Sequence, residues 1–460
     1  MELKSISCAF EDLDLLMLKD AVKSKYKGSV PRCYLHSYGC QQNVSDGEKL
    51  KGMIVKSGFS LTDDESSADL IVINTCAVRE NAHERVFGRL GELGHLKKNN
   101  SELIICVCGC MVQQEHIAEK IKKTYPFVSL AFGTFAYSDF YRMLREVIMS
   151  GKRVFNIEEK KSEIIENIPA ERSSSVRAYV SVMYGCNNFC TYCIVPYVRG
   201  RERSRPIDSV VDEVKGLVND GYKEITLLGQ NVNSYAYGFP KLLKRLNDIE
   251  GDFWIRFMSS HPKDATKELI DTMLDCDKIC SHLHLPVQSG NDEILNKMNR
   301  RYSVEKYLEI VRYARSRCKD FSFSTDIIVG FPGESYEQFC DTKKLLEKVK
   351  YDNVYSFVYS KREGTKAAEL EDNISVKQKG LWLRELLLMQ REITEKWLSR
   401  FVGKTLRVLA EDNGKKEGTL SGHSYENIIV EFVGEKKLIG SFVNIKITKA
   451  LNWALIGEIV

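Results

Sequence analysis

The sequence predicts an α/β protein in three parts: an N-terminal α/β domain with a parallel sheet, a central partial (β/α)6 barrel and a small C-terminal all-β barrel. Two regions, 31–150 and 172–396, alternate short apolar runs with helical patterns, which is typical of βα units on parallel strands. From 397 to 460 the helical periodicity gives way to short strands separated by glycine and charged residues. A length of 460 residues agrees with three domains, since domains average about 150 residues.

The N-terminal domain, 31–150, repeats one unit three times. An apolar run ends in a turn that bears a cysteine, and a helix-like segment follows; the three cysteines are Cys40, Cys76 and Cys110. In open α/β sheets, ligands bind outside the carboxyl ends of the strands. We therefore expect these three thiols to share one edge of the sheet.

The central domain, 172–396, follows a polar, acidic and then serine-rich segment that predicts a linker, Glu158–Ser175. Six βα units in about 190 residues favour a partial barrel over an eight-fold one, which needs about 250 residues. A strongly helical stretch, Lys377–Trp397, closes the domain. The predicted strands are Ala178–Met183, Glu224–Leu228, Trp254–Met258, His282–Val287, Phe321–Val329 and Val354–Tyr359.

The C-terminal part, 397–460, predicts a small barrel of five short strands. Lys415, Lys416, Lys436 and Lys437 fall in its predicted turns. The predicted strands are Thr405–Leu409, Gly418–Ser421, Ile428–Phe432, Phe442–Ile447 and Trp453–Val460.

Composition narrows the class of protein. With 43% hydrophobic and 28% charged residues, a disordered chain is excluded, and a net charge of +4 dictates no nucleic-acid partner by itself. The longest apolar run, 103–108, is far shorter than the roughly 18 residues that a membrane span needs. No signal peptide is evident, so we expect a cytoplasmic protein without a membrane partner. Fourteen cysteines in a reducing compartment do not indicate a disulfide framework.

Three cysteines are clustered as C-x3-C-x2-C: Cys186, Cys190 and Cys193. A [4Fe–4S] cluster normally takes four cysteine ligands, so three would leave one iron open for a substrate. Structural zinc is the competing interpretation, although no second C-x2-C knuckle or nearby histidine completes a tetrahedron. Buried thiols are a third alternative, and core packing is the interpretation for the remaining eight cysteines.

Several segments together resemble one family. They are Cys186-Asn-Asn-Phe-Cys-Thr-Tyr-Cys193, Ser37-Tyr-Gly-Cys-Gln-Gln-Asn43, Asn74-Thr-Cys-Ala-Val-Arg-Glu80, Cys108-Gly-Cys-Met111, Leu228-Gly-Gln-Asn-Val-Asn-Ser-Tyr235, His261-Pro-Lys-Asp264 and His282-Leu-His-Leu-Pro-Val-Gln-Ser-Gly290. From about Arg32 to Val460 the chain resembles the radical S-adenosylmethionine (SAM) methylthiotransferases, most of all the MiaB-type tRNA enzymes, and its C-terminal barrel is similar to the RNA-binding TRAM domain. At Gln42 the family more often has methionine.

The resemblance implies two [4Fe–4S] clusters. Cys186, Cys190 and Cys193 would hold the SAM-binding cluster, and Cys40, Cys76 and Cys110 an auxiliary cluster, with no catalytic residue beyond these ligands. One SAM would donate a methyl group and a second would yield a 5′-deoxyadenosyl radical. The product would carry a methylthio group at carbon-2 of N6-dimethylallyladenosine at position 37 of tRNA.

The resemblance also implies partners and leaves alternatives. The partners would be the tRNA anticodon stem-loop and a low-potential electron donor such as flavodoxin or ferredoxin, and we expect a monomer. The alternative substrates are an aspartate of a ribosomal protein and threonylcarbamoyl-adenosine in tRNA. A non-catalytic, zinc-containing RNA-binding protein is the alternative from a different class.

Further candidate residues divide into two groups. Cofactor-binding candidates are Tyr192, Gln230, Asn231, Gln288, Asp326, Gly330 and Glu334, the last three in a glycine–proline loop that could equally be an ordinary strand-to-helix turn. RNA-binding candidates are Arg199, Arg201, Arg203 and Arg205, with the four lysines of the barrel turns. Arginine suits phosphate or carboxylate recognition, but a solvated basic loop is as good an interpretation. We expect His282 and His284 to be core histidines whose hydrogen bonds are satisfied within the protein.

Overall fold

The computed structural model describes residues 2–78, 80–158, 164, 166 and 168–460, without the side chains of 2–12 and 80–82. The side chain of Cys8 and part of the predicted linker (159–163, 165 and 167) therefore lie outside the described residues. The chain forms two compact units. Unit 1 is Met1–Ser173 with Ile194–Arg201, and unit 2 is Ser174–Cys193 with Glu202–Val460.

Unit 1 contains a six-stranded parallel sheet in the order β2-β1-β3-β4-β5-β6. Two central strands, β3 and β4, are buried along their whole length, and alternate residues enter different cores. Leu70 and Val72 lie in one apolar cluster, whereas Ile71 and Ile73 lie in another. The strands are β1 Arg32–Ser37, β2 Ser60–Leu61, β3 Leu70–Thr75, β4 Ile104–Gly109, β5 Leu130–Phe132 and β6 Val154–Asn156.

The helices of unit 1 connect these strands, as the predicted βα repeat requires. Helix α5 ends at Ser150 and is capped by Gly151, whose φ of 66° favours glycine. A short helix, α6, comes from the segment Ile194–Arg201. The helices are α1 Glu2–Lys25, α2 Gln41–Lys56, α3 Glu80–Asn99, α4 Glu115–Thr124, α5 Phe140–Ser150 and α6 Val195–Arg199.

Unit 2 begins with a partial barrel of six parallel strands. Two three-stranded sheets, β11-β10-β7 and β12-β13-β14, are joined by a parallel bridge between Ile255 and Ile279. The strands are β7 Arg177–Ser181, β8 Met183–Tyr184, β9 Arg203–Ser204, β10 Glu224–Leu228, β11 Trp254–Phe257, β12 His282–His284, β13 Ser322–Val329 and β14 Asn353–Val358. The predicted partial (β/α)6 barrel is thereby confirmed.

Two predicted strands end two or three residues earlier in the structure than predicted. The first one ends at Ser181, because Met183 and Tyr184 leave the sheet and pair antiparallel with Arg203 and Ser204. β12 ends at His284, and the chain rejoins β13 only through a bridge at Gln288. Seven helices flank the strands: α7 Ile207–Asn219, α8 Phe239–Asn247, α9 Lys267–Asp275, α10 Asp292–Lys297, α11 Val304–Arg317, α12 Tyr336–Val349 and α13 Val376–Ser399.

The C-terminal residues of unit 2 form a closed barrel in the order β15-β16-β17-β19-β18, which confirms the predicted five-stranded module. Buried Arg256 joins the two parts of the unit: its Nη2 donates to the carbonyl oxygen of Ser424 at 2.7 Å, and its Nε to Glu224 Oε2 at 2.7 Å. No described helix is both long and apolar enough to cross a lipid bilayer. The strands are β15 Thr405–Asn413, β16 Thr419–Ser424, β17 Ile429–Val433, β18 Phe442–Ala450 and β19 Leu455–Ile459.

Candidate metal centres and substrate site

The three separate cysteines of unit 1 lie at one edge of its sheet. Cys40 is the N-cap of α2, just beyond β1, whereas Cys76 and Cys110 follow β3 and β4 directly. These three strands are neighbours in the sheet. The structure therefore places the thiols at the carboxyl ends of adjacent parallel strands, as the sequence predicts.

Two glycines allow the cysteine loops to approach each other closely. A Cβ on Gly39 would lie 2.2 Å from Cys76 Cβ and 2.6 Å from Cys76 Sγ, and Gly39 has a φ of 108°. A Cβ on Gly109, φ 98°, would lie 2.5 Å from the carbonyl oxygen of Thr75. Only glycine fits both the space and the backbone conformation at these positions.

Asn74, the buried residue before the second cysteine loop, fastens the same edge. Its Nδ2 donates to the carbonyl oxygen of Asn43 at 2.8 Å and to Ser37 Oγ at 3.2 Å. The amide nitrogen of Tyr38 donates to the Asn74 carbonyl oxygen at 2.8 Å. The ends of β1 and β3 are thus joined independently of any cofactor.

Among the described residues the thiols of this trio form no disulfide, and Cys40 interacts with both of the others. A hydrogen bond between the Cys40 and Cys76 side chains, together with burial, holds the pKa of Cys40 well above its usual value. Burial raises the pKa of Cys110 to about 11, although the positive charge of Arg199 opposes the shift. Buried thiols that are costly to ionise alone gain stability when a metal takes the place of the proton.

Arg199 is the cation next to this trio. It is 6% exposed, its Nη2 lies 2.6 Å from Asp46 Oδ2, and its Nε donates to Cys110 Sγ at 3.1 Å. Asp46 is buried as well, and its Oδ1 accepts a hydrogen bond from Gln42 Nε2 at 3.1 Å. A buried carboxylate, a buried guanidinium and a candidate ligand sulfur thus form one connected group.

The clustered cysteines lie in the loop after β8. Gln230 Oε1 accepts a hydrogen bond from the amide nitrogen of Gly185 at 2.5 Å, and Asn299 Nδ2 donates to the carbonyl oxygens of Asn188 and Phe189 at 3.2 and 3.0 Å. Phe189 has a φ of 48°, a conformation that is uncommon for a non-glycine residue. The loop is therefore held in one shape by a side chain that follows β10 and another that follows α10.

A buried arginine also contacts this second trio. Arg300 Nη1 donates to Cys190 Sγ at 3.4 Å, and its Nη2 donates to the carbonyl oxygen of Pro286 at 2.5 Å. Burial raises the pKa of Cys186 to about 11. Among the described residues, no three His, Cys, Asp or Glu side chains converge on one point that a single ion could fill. In a four-iron cluster each thiolate binds a different iron.

Three buried polar atoms near the second trio have no hydrogen-bond partner among the described residues: Asn231 Oδ1, Ser260 Oγ and His261 Nε2. They follow β10 and β11, at the carboxyl edge of the barrel. The turn that follows His261 is tied to the cysteine loop, because Lys263 Nζ donates to Asn188 Oδ1 at 2.9 Å. Such atoms are costly unless a ligand satisfies them.

The contacts of His261 determine which nitrogen of its ring carries the proton. Its Nδ1 accepts the amide N–H of Lys263 at 3.1 Å, and burial, with Arg300 and Lys263 nearby, lowers the pKa of the imidazole to about 2. The ring is therefore neutral with its proton on Nε2. His261 thus presents a donor, and Asn231 Oδ1 an acceptor, to a polar ligand.

The glycine–proline loop is stabilised by its own glutamate. Glu334 Oε2 accepts the amide N–H groups of Gly330 at 2.6 Å and Phe331 at 3.2 Å. Burial raises the pKa of Glu334 to about 7, against these two hydrogen bonds. Gly330 has a φ of 73°. Glu334 therefore shapes the loop from within.

The other cofactor-binding candidates are spread over the same barrel. Gln288, φ 72° and buried, bridges to β13 through Ile327. Asp326 lies on β13, with Oδ2 3.6 Å from His284 Nε2. Tyr192 packs against the apolar cluster around Phe331. The two histidines of β12 are satisfied core residues as predicted, since His282 Nε2 and His284 Nδ1 both lie 2.9 Å from Ser324 Oγ.

The basic candidates separate by burial. Arg199 and Arg205 are buried, and Arg205 Nη1 is paired with Glu213 Oε2 at 2.6 Å, so the structure offers neither guanidinium to RNA, contrary to our expectation. Arg201 is exposed and Arg203 half-buried. Lys415, Lys416, Lys436 and Lys437 are exposed in barrel turns, as predicted.

Some residues of these centres were not among the candidates from sequence. Asp46 and Arg300 carry no motif of their own, because the role of a buried polar side chain is visible only when its partner is known. The signal for Asp46 was a carboxylate four residues after Gln42 in α2, the spacing that puts two side chains on one helix face. His261 lay inside a quoted segment, but the sequence did not show which ring nitrogen would be left unpaired.

Comparison with known proteins decides the family. The chain matches the Radical SAM superfamily over 180–346, the Uncharacterized protein family UPF0004 over 32–133 and the TRAM domain over 399–460. It is 47% identical over 448 residues to the tRNA-2-methylthio-N(6)-dimethylallyladenosine synthase of Clostridium botulinum (strain Langeland), covering 96% of this chain and 100% of that one. The chain belongs to the radical SAM tRNA methylthiotransferase family.

Other comparisons agree. The synthase of the same name from Thermoanaerobacter sp. (strain X514) is 47% identical, with 95% of each chain covered. Among solved structures, the radical SAM methyltransferase TsrM from Kitasatospora setae is similar in fold, with a TM-score of 0.54 and 14% identity over 74% of this chain and 75% of that one. As a member of the family, the chain is an enzyme that uses SAM and an iron–sulfur cluster. The non-catalytic RNA-binding alternative is therefore wrong.

Proposed function

We propose that this enzyme inserts a methylthio group at carbon-2 of N6-dimethylallyladenosine at position 37 of tRNA, and that it acts in the cytoplasm. The observation that carries the proposal is identity of 47% over 96% of the chain with a synthase named for that nucleoside. The described side chains support the chemistry, because each unit presents three cysteines at the carboxyl edge of a parallel sheet or barrel.

Cys186, Cys190 and Cys193 would hold the SAM-binding cluster, and Cys40, Cys76 and Cys110 an auxiliary cluster, two [4Fe–4S] clusters in all. When bound, the first cluster would supply the electron that cleaves one SAM to a 5′-deoxyadenosyl radical, and the second would supply the site that carries the sulfur and takes the methyl group of another SAM. The donor set fits, since three soft thiolates per site suit iron and leave one iron open.

The polar groups of unit 2 would bind and orient SAM. Asn231 Oδ1 can accept from an ammonium or a hydroxyl group, and His261 Nε2–H and Ser260 Oγ can donate to a carboxylate or an adenine nitrogen. These atoms are buried and unpartnered among the described residues. A ligand that satisfied all three would be held in one orientation. That favours reaction, because a radical must meet its target before water or protein does.

The loop that carries Glu334 would line the same cofactor site. Its shape depends on the two amide N–H groups that Glu334 accepts, and not on contacts that the ligand must first make. We therefore assign Gly330 and Glu334 to preorganisation of the loop, with Tyr192, Gln288 and Asp326 as neighbouring candidates. Gln230 would hold the cysteine loop through Gly185.

Binding of the tRNA anticodon stem-loop would use the C-terminal barrel. Besides its exposed lysines, the barrel has Trp453, whose ring centroid lies 3.7 Å from Lys415 Nζ. Cationic side chains beside an aromatic ring suit phosphate contact and base stacking. Arg201 of unit 1 and Arg203 of unit 2 would contribute as well. We propose the domain boundaries 31–150, 172–396 and 397–460; the monomeric state and the flavodoxin or ferredoxin donor stay predictions.

The test is an anaerobic assay of the full chain with three synthetic anticodon stem-loops. They would carry N6-dimethylallyladenosine, threonylcarbamoyl-adenosine or plain adenosine at position 37. We expect methylthiolated product, 5′-deoxyadenosine and S-adenosylhomocysteine only with the first. Product from the second alone would contradict the proposed substrate and favour the alternative nucleoside. Activity on a ribosomal-protein aspartate and on no RNA would contradict it as well.

A further inference from the structure

Arg199 is engaged in unit 1 by contacts that a surface arginine would lack. Its guanidinium spans the carboxylate of Asp46 and the sulfur of Cys110, at 2.6 and 3.1 Å. Both partners are buried, with exposed fractions of 7% for Asp46 and 3% for Cys110. The sequence suggested a contact to the RNA backbone or to the carboxylate of SAM, whereas the structure gives the arginine a protein carboxylate and a thiol.

The segment that carries Arg199 is fixed in place. Ile194 and Val198 pack with Ala77 and Cys110 in one apolar cluster. Thr134 Oγ1 donates to the carbonyl oxygen of Val198. The backbone that carries the guanidinium is therefore anchored beside the thiol of Cys110.

We propose that Arg199 is a positioning residue that tunes the auxiliary cluster by donating Nε–H to its ligand Cys110. The inference rests on the auxiliary cluster of the proposed function. Hydrogen bonds to ligand sulfurs, and charge near the cluster, set the reduction potential of an iron–sulfur centre. A donor to sulfur stabilises the reduced form, which carries one more negative charge.

Asp46 acts in the opposite sense through the same arginine. The carboxylate offsets the positive charge of Arg199 and fixes the plane of its guanidinium through the Nη2 contact. Gln42 Nε2 donates to the other oxygen of Asp46, so that the carboxylate is oriented from both sides. The three side chains thus form a chain of contacts, Gln42–Asp46–Arg199, that ends on the sulfur of Cys110.

The test measures the auxiliary cluster alone, in the full chain with Cys186, Cys190 and Cys193 replaced by alanine. After anaerobic reconstitution, iron content, the electron paramagnetic resonance spectrum of the reduced state and the midpoint potential are compared. We expect R199Q to keep its iron but to lower the potential by at least 59 mV, a tenfold change in the one-electron equilibrium. D46N should raise the potential, because it leaves the guanidinium charge uncompensated.

Opposite shifts distinguish tuning from a structural role, since damage to the site would move both variants in the same direction. R199K keeps the charge without the Nε donor, so its potential should lie between those of R199Q and the parent. R201Q, a change at an exposed arginine two residues away, should leave potential and spectrum unchanged. Unchanged values in R199Q and D46N overturn the inference; if R199Q binds no iron, the shift in D46N decides. No iron in the parent defeats the auxiliary cluster itself.

Discussion

Replacement of Gly39 by alanine tests whether the geometry of unit 1 is needed for methylthio transfer. The new Cβ would lie 2.2 Å from Cys76 Cβ, whereas ordinary contact begins at 3.4 Å, so about 1.2 Å must open between the loops of Cys40 and Cys76. The φ of 108° at this position adds strain of about 1–3 kcal/mol for any residue with a side chain. Two ligands of one cluster would be forced apart.

The expected result follows from that displacement. A misplacement of about 1 Å can cost about 100-fold in rate, so we expect at least that loss of methylthiolated product. The iron content should fall from about eight to about four per chain, because only one of the two four-iron clusters is lost. Formation of 5′-deoxyadenosine should persist, since the cysteines of unit 2 are untouched. Product is measured by nucleoside mass spectrometry and iron by anaerobic analysis.

Gly28 supplies a matched control. It also has a positive φ, 81°, but a Cβ there would meet nothing within 4 Å. Gly28→Ala therefore carries the backbone strain without the overlap at Cys76. If Gly39→Ala kept both its iron and its product at the level of Gly28→Ala, the close approach of the two loops would not matter and the reasoning would be refuted.

Three further predictions follow from single side chains. Cys186→Ala should abolish 5′-deoxyadenosine, whereas Cys76→Ala should keep SAM cleavage and lose methylthiolated product; equal loss of cleavage would contradict the division between the trios. The raised pKa of Glu334, about 7 against 4.5, means that the fold favours the protonated form. The protonated carboxyl therefore contributes about 3 kcal/mol to the free energy of unfolding below pH 4.5, and this contribution is lost as the pH rises to 7. In urea unfolding of the metal-free protein, the free energy of unfolding of Glu334→Gln should decline less over this pH range than that of the parent. The same pH profile in both would contradict the prediction. Lys415→Ala should weaken stem-loop binding, and the salt dependence of log K should fall by about one unit, measured by fluorescence anisotropy; a constant slope would remove Lys415 from the interface.

Much of the fold could be predicted because it rests on local patterns. Alternation of apolar runs and helices predicts parallel βα units, and in such a sheet every strand that points the same way ends at the same edge. The common edge of Cys40, Cys76 and Cys110 therefore needed no coordinates. The strand Glu224–Leu228 has the same bounds in sequence and structure, whereas the end of the first strand was missed because Met183 pairs across to Ser204, 21 positions later.

The sequence by itself determined the kinds of site: two sets of three thiols, their placement after strands, and motifs typical of one enzyme family. The tertiary structure decided which polar side chains serve those sites. From sequence, Arg199 has the features of a basic surface residue, but in the structure it is buried against Asp46 and Cys110. Glu334 is a candidate ligand from sequence, but its carboxylate accepts hydrogen bonds from its own loop. The physical reason is that strand order and apolar periodicity are encoded over a few neighbouring residues, whereas the partner of a buried charge comes from a distant part of the chain.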